Sequence, residues 1–448
     1  MLLLLAGLAA AQDLDVGGHA EGNLRLGLGC DLANTFGDCG WLDFHDAAVA
    51  GVDLKLRHPR YDARLAADLR VHGPHASEAL EQSGNVVAVQ NSSLKLQEAW
   101  VGSVGDHLDV SVGAQRLHWG VADGVNPANV VNAYDLEDPT RFDARLATPM
   151  LRASAHRGQA SLELAVVPWF QPALLPTDVV DVLGDSRSQL DAIDAGDVEV
   201  GRLESRVEYP QDRIADVALG ARFFWATRAG DWAISGYHGR DSLPQVGGEL
   251  RITGFQTDSD RVDLGVPVVY PRVDQVAGEW RRDLFADIVG WVEVAVVRPE
   301  VVTVEFSKAQ LDALERLGTI DEVPDPIPSD TTQDGLIYPR WVVGADRMVG
   351  PIYLNVQWLH GFPTERRRDA LRDYGMVFLR WSVTPTVALE ARGVSDGRGV
   401  LAGGDVHVLQ GDAVSWRIGG TWVQGPPDSA LGAFAGVRHV GTGARIEF

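Results

Sequence analysis

The stretch YDARLAADLRVH, residues 61–72, decides the fold class. Its odd positions, Tyr61, Ala63, Leu65, Ala67, Leu69 and Val71, are apolar, while Asp62, Arg64, Ala66, Asp68, Arg70 and His72 alternate with them and are mostly charged. A period of two puts the two sets on opposite faces of a β-strand. The pattern recurs along the chain. In PIYLNVQW, residues 351–358, Ile352, Leu354, Val356 and Trp358 oppose Tyr353, Asn355 and Gln357. In VSWRIGGTW, residues 414–422, Val414, Trp416, Ile418 and Trp422 oppose Ser415, Arg417, Gly419 and Thr421. Short Gly, Pro, Asp and Asn turns such as HPRY and RAGD join the runs, and the alternation predicts about 16 strands, with a range of roughly 14 to 18.

A soluble β-sandwich alternates in the same way, so other features must choose between water and lipid. The chain ends on GARIEF, with Phe448, Ile446, Ala444, Thr442 and Val440 on one face. A terminal aromatic closing such a strand resembles the signal that the barrel assembly machinery reads in bacterial outer-membrane proteins. Tryptophans stand near strand ends, at Trp100, Trp225, Trp341, Trp358, Trp381 and Trp422, as an interfacial girdle requires. No linker divides the 448 residues into modules. Hydrocarbon offers no hydrogen-bond partner, so a spanning sheet must close on itself. The expectation is an all-β, transmembrane antiparallel barrel over residues 12–448, sitting in outer-membrane lipid. Arg64, Asp68, Arg70, Asn355, Gln357 and Arg417 then face the lumen.

Composition agrees with this class. There are 49 Gly and 13 Trp, and Lys55, Lys95 and Lys308 are the only lysines. A formal charge of −23 disfavours nucleic acid as a partner. The opening MLLLLAGLAAAQ reads as a signal peptide over residues 1–11, being shorter than the roughly 20 apolar residues of a spanning helix and ending in small residues. Export would let Cys30 and Cys39, the only cysteines, close a short disulfide loop. Two cysteines alone do not make a structural zinc site.

Three segments break the alternation. Residues 176–200 form a polar, helix-compatible excursion. Residues 299–335 combine a short amphipathic helix, FSKAQLDALERLG, with a long acidic, Pro-rich loop. The third is RLHWGVADGVNPANVVNAYDLEDPTRFDAR, residues 116–145, crowded with Asn, Asp and Pro. Asn-Pro favours a turn, and Asn and Asp side chains satisfy backbone groups where a chain leaves a sheet. The expectation is a polar insert over 119–142 that folds inward as a constriction, with Arg116, Trp119, Asp123, Asn126, Pro127, Asn132, Asp135, Asp138 and Arg141 as its functional candidates. The alternative is a rim segment held by local turns that touches no solute. Asp135, Glu137 and Asp138 lack the spacing of a calcium loop, so no metal is expected there.

This third segment carries a family resemblance. Gly113, Gln115, Trp119-Gly120, Asp123, Asn126-Pro127, Asn132, Asp135 and Asp138 resemble the DUF1302-like (porin-like) family of outer-membrane barrels. The likeness continues through Pro149 to Trp169 and Pro172, covering residues 110–176. The family often has Asp two residues after the Asn-Pro pair, where this chain has Asn129. The resemblance implies a barrel similar to porins and alginate exporters, working with periplasmic carrier or efflux-type partners, and it fixes no substrate.

The function expected is passive passage or export of a small polar or lipid-related solute, with no cofactor. The acidic balance leans toward cations or neutral solutes, and clustered lumenal arginine would reverse that. Two other classes stay open: a barrel enzyme of protease or lipase type, and a secreted β-sandwich binding protein. The chain has no H-E-x-x-H and no G-x-x-x-x-G-K. His72, His75, His118, His238 and His360 are scattered along it.

Overall fold

The computed structural model describes residues 13–27, 48–71, 86–89, 92–136, 141–175, 199–210, 216–256, 261–316, 323, 327, 329–426, 429–432 and 438–448. The leader at 1–11, Cys30 and Cys39, Asp138 and nearly all of the 176–200 excursion lie outside the described residues.

In chain order the first strands are β1 (Asp13–Gly27), β2 (Ala48–His58), β3 (Tyr61–Val71), β4 (Val86–Val89), β5 (Ser92–Ser103), β6 (Leu108–Gln115), β7 (Thr148–Arg157) and β8 (Ala160–Val167). Then come β9 (Glu199–Val207), β10 (Ala218–Thr227), β11 (Gly230–Arg240), β12 (Gln245–Val246), β13 (Gly248–Gln256), β14 (Arg261–Val269), β15 (Arg272–Asp283), β16 (Ile288–Pro299) and β17 (Val301–Phe306). After helix α1 (Lys308–Arg316) follow β18 (Ser329–Asp334), β19 (Tyr338–Val349), β20 (Ile352–His360), β21 (Asp373–Thr384), β22 (Val387–Ser395), β23 (Val400–Gln410), β24 (Val414–Gln424) and β25 (Arg438–Glu447).

Eighteen of these strands form a closed antiparallel barrel, the upper end of the expected range. Each pairs with its neighbour along the meander, and β25 returns to β1 to close the seam, from His19 opposite Glu447 to Gly27 opposite His439. Phe448 extends the seam by exchanging backbone hydrogen bonds with Gly18, at 2.8 and 3.0 Å. The eighteen wall strands thus close on themselves, which is the condition for a sheet to cross a bilayer.

Directly opposed residues share a face, so the register carries the alternation around the wall. Phe223 on β10 lies opposite Ile234 on β11, and both are exposed on the outside. Trp225, Trp232 and Trp280 stand in one row across β10, β11 and β15. Trp358, Trp381 and Trp422 are also exposed, as a girdle requires, and Trp341 packs edge-on against Trp358 at 4.9 Å. Trp100 departs from that expectation. A bulge in β5 sets Ala66 opposite Glu98 but Ala67 opposite Leu96. The extra residue shifts the phase, leaving Trp100 opposite Arg64 on the lumenal side.

Tight turns such as 158–159, 228–229 and 350–351 lie at one end, and long connections at the other. In outer-membrane barrels the short-turn end faces the periplasm. Three long connections supply β9, β12 to β14, β17 and β18, which form a second, six-stranded sheet. Within 299–335, Val301–Phe306 and Ser329–Asp334 are therefore strands and Lys308–Arg316 is the expected helix, so the acidic loop expected there is shorter than its sequence suggests. VVTVEF alternates exposed and buried positions along β17, and Leu311 of α1 packs with Leu250, Leu264, Val304 and Phe306. The apolar alternation that marks a barrel strand also marks this strand of the second sheet, because both have one dry face.

Candidate functional site

The chain leaves the wall after Gln115 at the end of β6 and returns at Thr148, while β6 and β7 stay paired from Leu108–Ala155 to Gln115–Thr148. Residues 116–147 are thus an insertion at the tip of a hairpin. Those described, 116–136 and 141–147, fold into the lumen.

The root is held by Asn132, which is 1 % exposed. Its Oδ1 accepts the Leu117 N–H at 2.7 Å, and its Nδ2 donates to the carbonyls of Gln115 and Leu146 at 2.9 and 3.0 Å. One side chain therefore ties the outgoing and returning limbs together. The tip is organised by Asn126, whose Nδ2 donates to the Trp119 carbonyl at 2.9 Å and whose Oδ1 accepts from the Asn129 N–H at 3.1 Å. Gly120 has φ +92°, and an added Cβ would lie 2.1 Å from the Asn126 side chain, so the Trp-Gly pair needs its glycine twice over.

Wall residues grip the insert along one arc. Trp119, 1 % exposed, donates its indole N–H to Glu163 of β8 and packs in a cluster with Met150, Val167, Tyr237 and Val297. Gln275 of β15 donates to the Pro127 carbonyl at 2.9 Å. On β20, Asn355 donates to the Asp123 carboxylate at 2.7 Å and Gln357 to the Asp123 carbonyl at 2.8 Å. Burial, with the nearby Asp346 carboxylate, pushes Asp123 above the usual carboxylate range. Glu293 of β16 takes three hydrogen bonds from the insert backbone. Its two oxygens accept the backbone N–H groups of Val121 at 3.0 Å, Ala122 at 3.3 Å and Ala128 at 2.5 Å.

On the opposite arc a polar cavity of about 580 Å³ lies between the insert and β1, β2, β3, β5, β24 and β25, and it is bridged at β5 by Lys95–Asp135 and Arg116–Gln97. Its lining brings together Arg64, Arg70, Lys95, Arg116, Arg141, Arg145, Arg417 and Arg445 with Glu21, Asp53, Asp68, Asp135 and Asp143. Eight cations thus face five carboxylates, a reversal of the sign of the whole chain. Several of the acids are already matched. Arg64 joins Asp53 and Glu98 at 2.9 and 2.5 Å, Lys95 meets Asp135 at 2.6 Å, and Gln97 donates to Asp68 at 2.5 Å. Arg116 is bonded to the Gln97 amide, and burial lowers its pKa from the ordinary arginine value. Arg145 donates to the carbonyls of Asn129, Phe142 and Ala144, with its guanidinium 3.6 Å from the Tyr134 ring centre.

The expected site residues therefore sort into groups. Arg64, Asp68, Arg70, Arg116, Asp135, Arg141 and Arg417 line the cavity. Trp119, Asn126, Pro127 and Asn132 hold the insert in shape or in place, and Asp123, Asn355 and Gln357 form its seam with β20. Sequence reading passed over Arg145, Lys95, Gln275 and Glu293. Glu293 had a readable sign, a lone carboxylate within WVEVAVV on the face shared by Trp291, Ala295 and Val297.

The nucleophile-elbow spacing G-x-S-x-G occurs once, as GVSDG at 393–397. Its Ser395 ends β22 and donates to the Gly399 carbonyl at 2.7 Å in a strand-to-strand turn, not in the strand-to-helix turn of a hydrolase. Among the described residues no three His, Cys, Asp or Glu gather as a metal site would need.

No protein-family model matches the chain, and no curated protein matches it in sequence. Solved structures do resemble it. OccAB1 of Acinetobacter baumannii aligns over 98 % of this chain and 97 % of its own, with a TM-score of 0.50 and 9 % identity. A BenF-like porin from Pseudomonas fluorescens Pf-5 aligns over 98 % of both chains, with a TM-score of 0.49 and 7 % identity. OccK9 of Pseudomonas aeruginosa likewise covers 98 % of both, with a TM-score of 0.48 and 9 % identity. At such identities the likeness concerns the fold.

Proposed function

We propose that the protein is a porin-like channel of the outer membrane that passes small anionic solutes passively through the cavity between insert and wall. The observation that carries this reading is the lining itself, eight cationic side chains against five carboxylates in a chain whose formal charge is −23. A narrow lumen with low-dielectric walls concentrates the field of its own lining, so local charge and not net charge sets ion preference. The charged lining also favours a small polar ion over a lipid. Passage needs no energy coupling, because selectivity by charge and radius is a property of the wall.

The test is conductance in planar bilayers with a salt gradient. The expected result is a stable open channel whose reversal potential leans toward the anion. Cation preference would refute the solute class, and the absence of any conductance would refute the channel.

A further inference from the structure

We propose that Glu293 is the positioning residue of this channel: it seats the insert against the β15–β20 arc of the wall and thereby fixes the width of the passage on the opposite side. The inference rests on the channel reading above.

Glu293 is a fully buried acid on the lumenal wall. It is 0 % exposed, and its register partner across β15 is another buried carboxylate, Glu279. Glu279 takes the guanidinium of Arg222, at 2.7 Å. The hydrogen bonds of Glu293 come instead from insert backbone, from Val121, Ala122 and Ala128. A buried carboxylate without compensation is costly, so these donors hold the carboxylate as firmly as it holds them. The two ends it grips bracket the turn at Asn126 and Pro127. Gripping both fixes the position and the tilt of the loop tip. Ala128 is itself wholly buried against Ala277 and Ala295, where larger side chains would hold the loop off the wall.

The geometry has a consequence for selectivity. Arg116, Arg141 and Arg145 stand on the insert, while Glu21, Asp53, Asp68, Arg417 and Arg445 stand on the far wall. Their separation is set by where the insert sits: Lys95–Asp135 and Arg116–Gln97 tether its root to β5, while the tip is seated from behind by Glu293. Releasing Glu293 lets the insert move off its arc, which opens space at β15–β20 and changes the spacing of the charges that select the ion. Glu293 does this without lining the passage.

The test compares five proteins: wild type, E293Q, a deletion of residues 121–141, E293Q within that deletion, and E279Q. Gln keeps the volume but offers one acceptor oxygen, and it turns an NH₂ donor toward an insert N–H. The displaced insert should become on the order of a hundredfold more populated, which is about 2.8 kcal/mol at ~1.4 kcal/mol per factor of ten. The expected readout is a larger, noisier conductance and a reversal potential nearer zero for E293Q, with no further effect of E293Q in the deletion background. E279Q is the control, because a merely structural loss of a buried carboxylate would disturb both variants alike, and only E293Q should alter ion preference. An effect of E293Q that persists in the deletion would overturn the proposal, since Glu293 would then act as a pore charge. Unchanged conductance and selectivity in full-length E293Q would overturn it as well. If wild type does not conduct, the channel reading falls by itself. Protease cutting within 121–141 then still reads the latch: faster cutting in E293Q than in wild type supports it, and equal rates reject it.

Discussion

Replacing Asn132 by Ala should unfasten the insert and leave the barrel standing. The substitution removes three hydrogen bonds of 2.7–3.0 Å and leaves the Leu117 N–H and the Gln115 and Leu146 carbonyls without that partner at a site where Asn132 is 1 % exposed. Each buried group left unsatisfied costs about 1–3 kcal/mol, and with water entering the space the combined loss should be ~3–5 kcal/mol. That penalty falls on a local opening, because the ladder between β6 and β7 is made by main-chain groups that the substitution does not touch. A loss of this size raises the open population of the insert by roughly a hundred- to a few thousandfold. Amide hydrogen exchange in detergent reads both parts at once. Amides of residues 117–136 and 141–146 should exchange faster by about that factor, while strands such as β20 to β24 keep their protection. N132D should be worse than N132A, since it sets carboxylate oxygen against two carbonyls. Protection of the insert within a fewfold of wild type in N132A would refute the claim that Asn132 fastens its root.

Other consequences follow from the same geometry. Arg141→Glu cuts the cationic surplus of the lining from three to one, and the reversal potential should move toward cations; an unmoved potential would place the passage elsewhere. Gly18→Val places a Cβ 2.7 Å from the Phe448 ring and 2.8 Å from the Gly51 carbonyl, so the β25–β1 seam should lose about 1–3 kcal/mol by overpacking, seen as a lower temperature for the heat-modifiable gel shift. Asp123 has a folded pKa raised above its ordinary 3.8, so the stability it contributes is fully present below that value and is lost as pH rises through the raised one. Protease resistance of the insert should therefore increase on acidification through that window, and D123N should flatten the dependence. The connection that follows β8 is stitched to the insert where Leu174 donates to the Tyr134 carbonyl at 2.9 Å and Leu136 donates to the Leu174 carbonyl at 2.8 Å. Leu174→Pro removes the first of these donors and should make the open channel flicker faster in single-channel records.

The sequence by itself determined the barrel. Arg64, Asp68 and Arg70 alternate with Leu65, Leu69 and Val71, and a period of two has only one face for each set, so lumen and lipid sides were legible wherever a strand ran unbroken. The insert was legible for the complementary reason: Asn126, Pro127 and Asn132 are turn and backbone-capping residues, and such a cluster cannot continue a ladder. Alternation failed at two places, each with a physical cause. The bulge at Gln97 moved Trp100 from the expected girdle to the lumen, because one extra residue inverts every later side chain. Strand β18 was hidden in what read as a loop, since SDTTQD has no apolar period and is a strand only through its pairing with β17. Only the tertiary structure decided the site. Glu293 lies 165 residues from Ala128 along the chain and 2.5 Å from it in space. Whether Arg141 meets a carboxylate, an amide or open cavity depends on which distant strands close around the insert. Periodicity is a local property and survives in the sequence, but the sign and width of a lumen come from side chains that closure alone brings face to face.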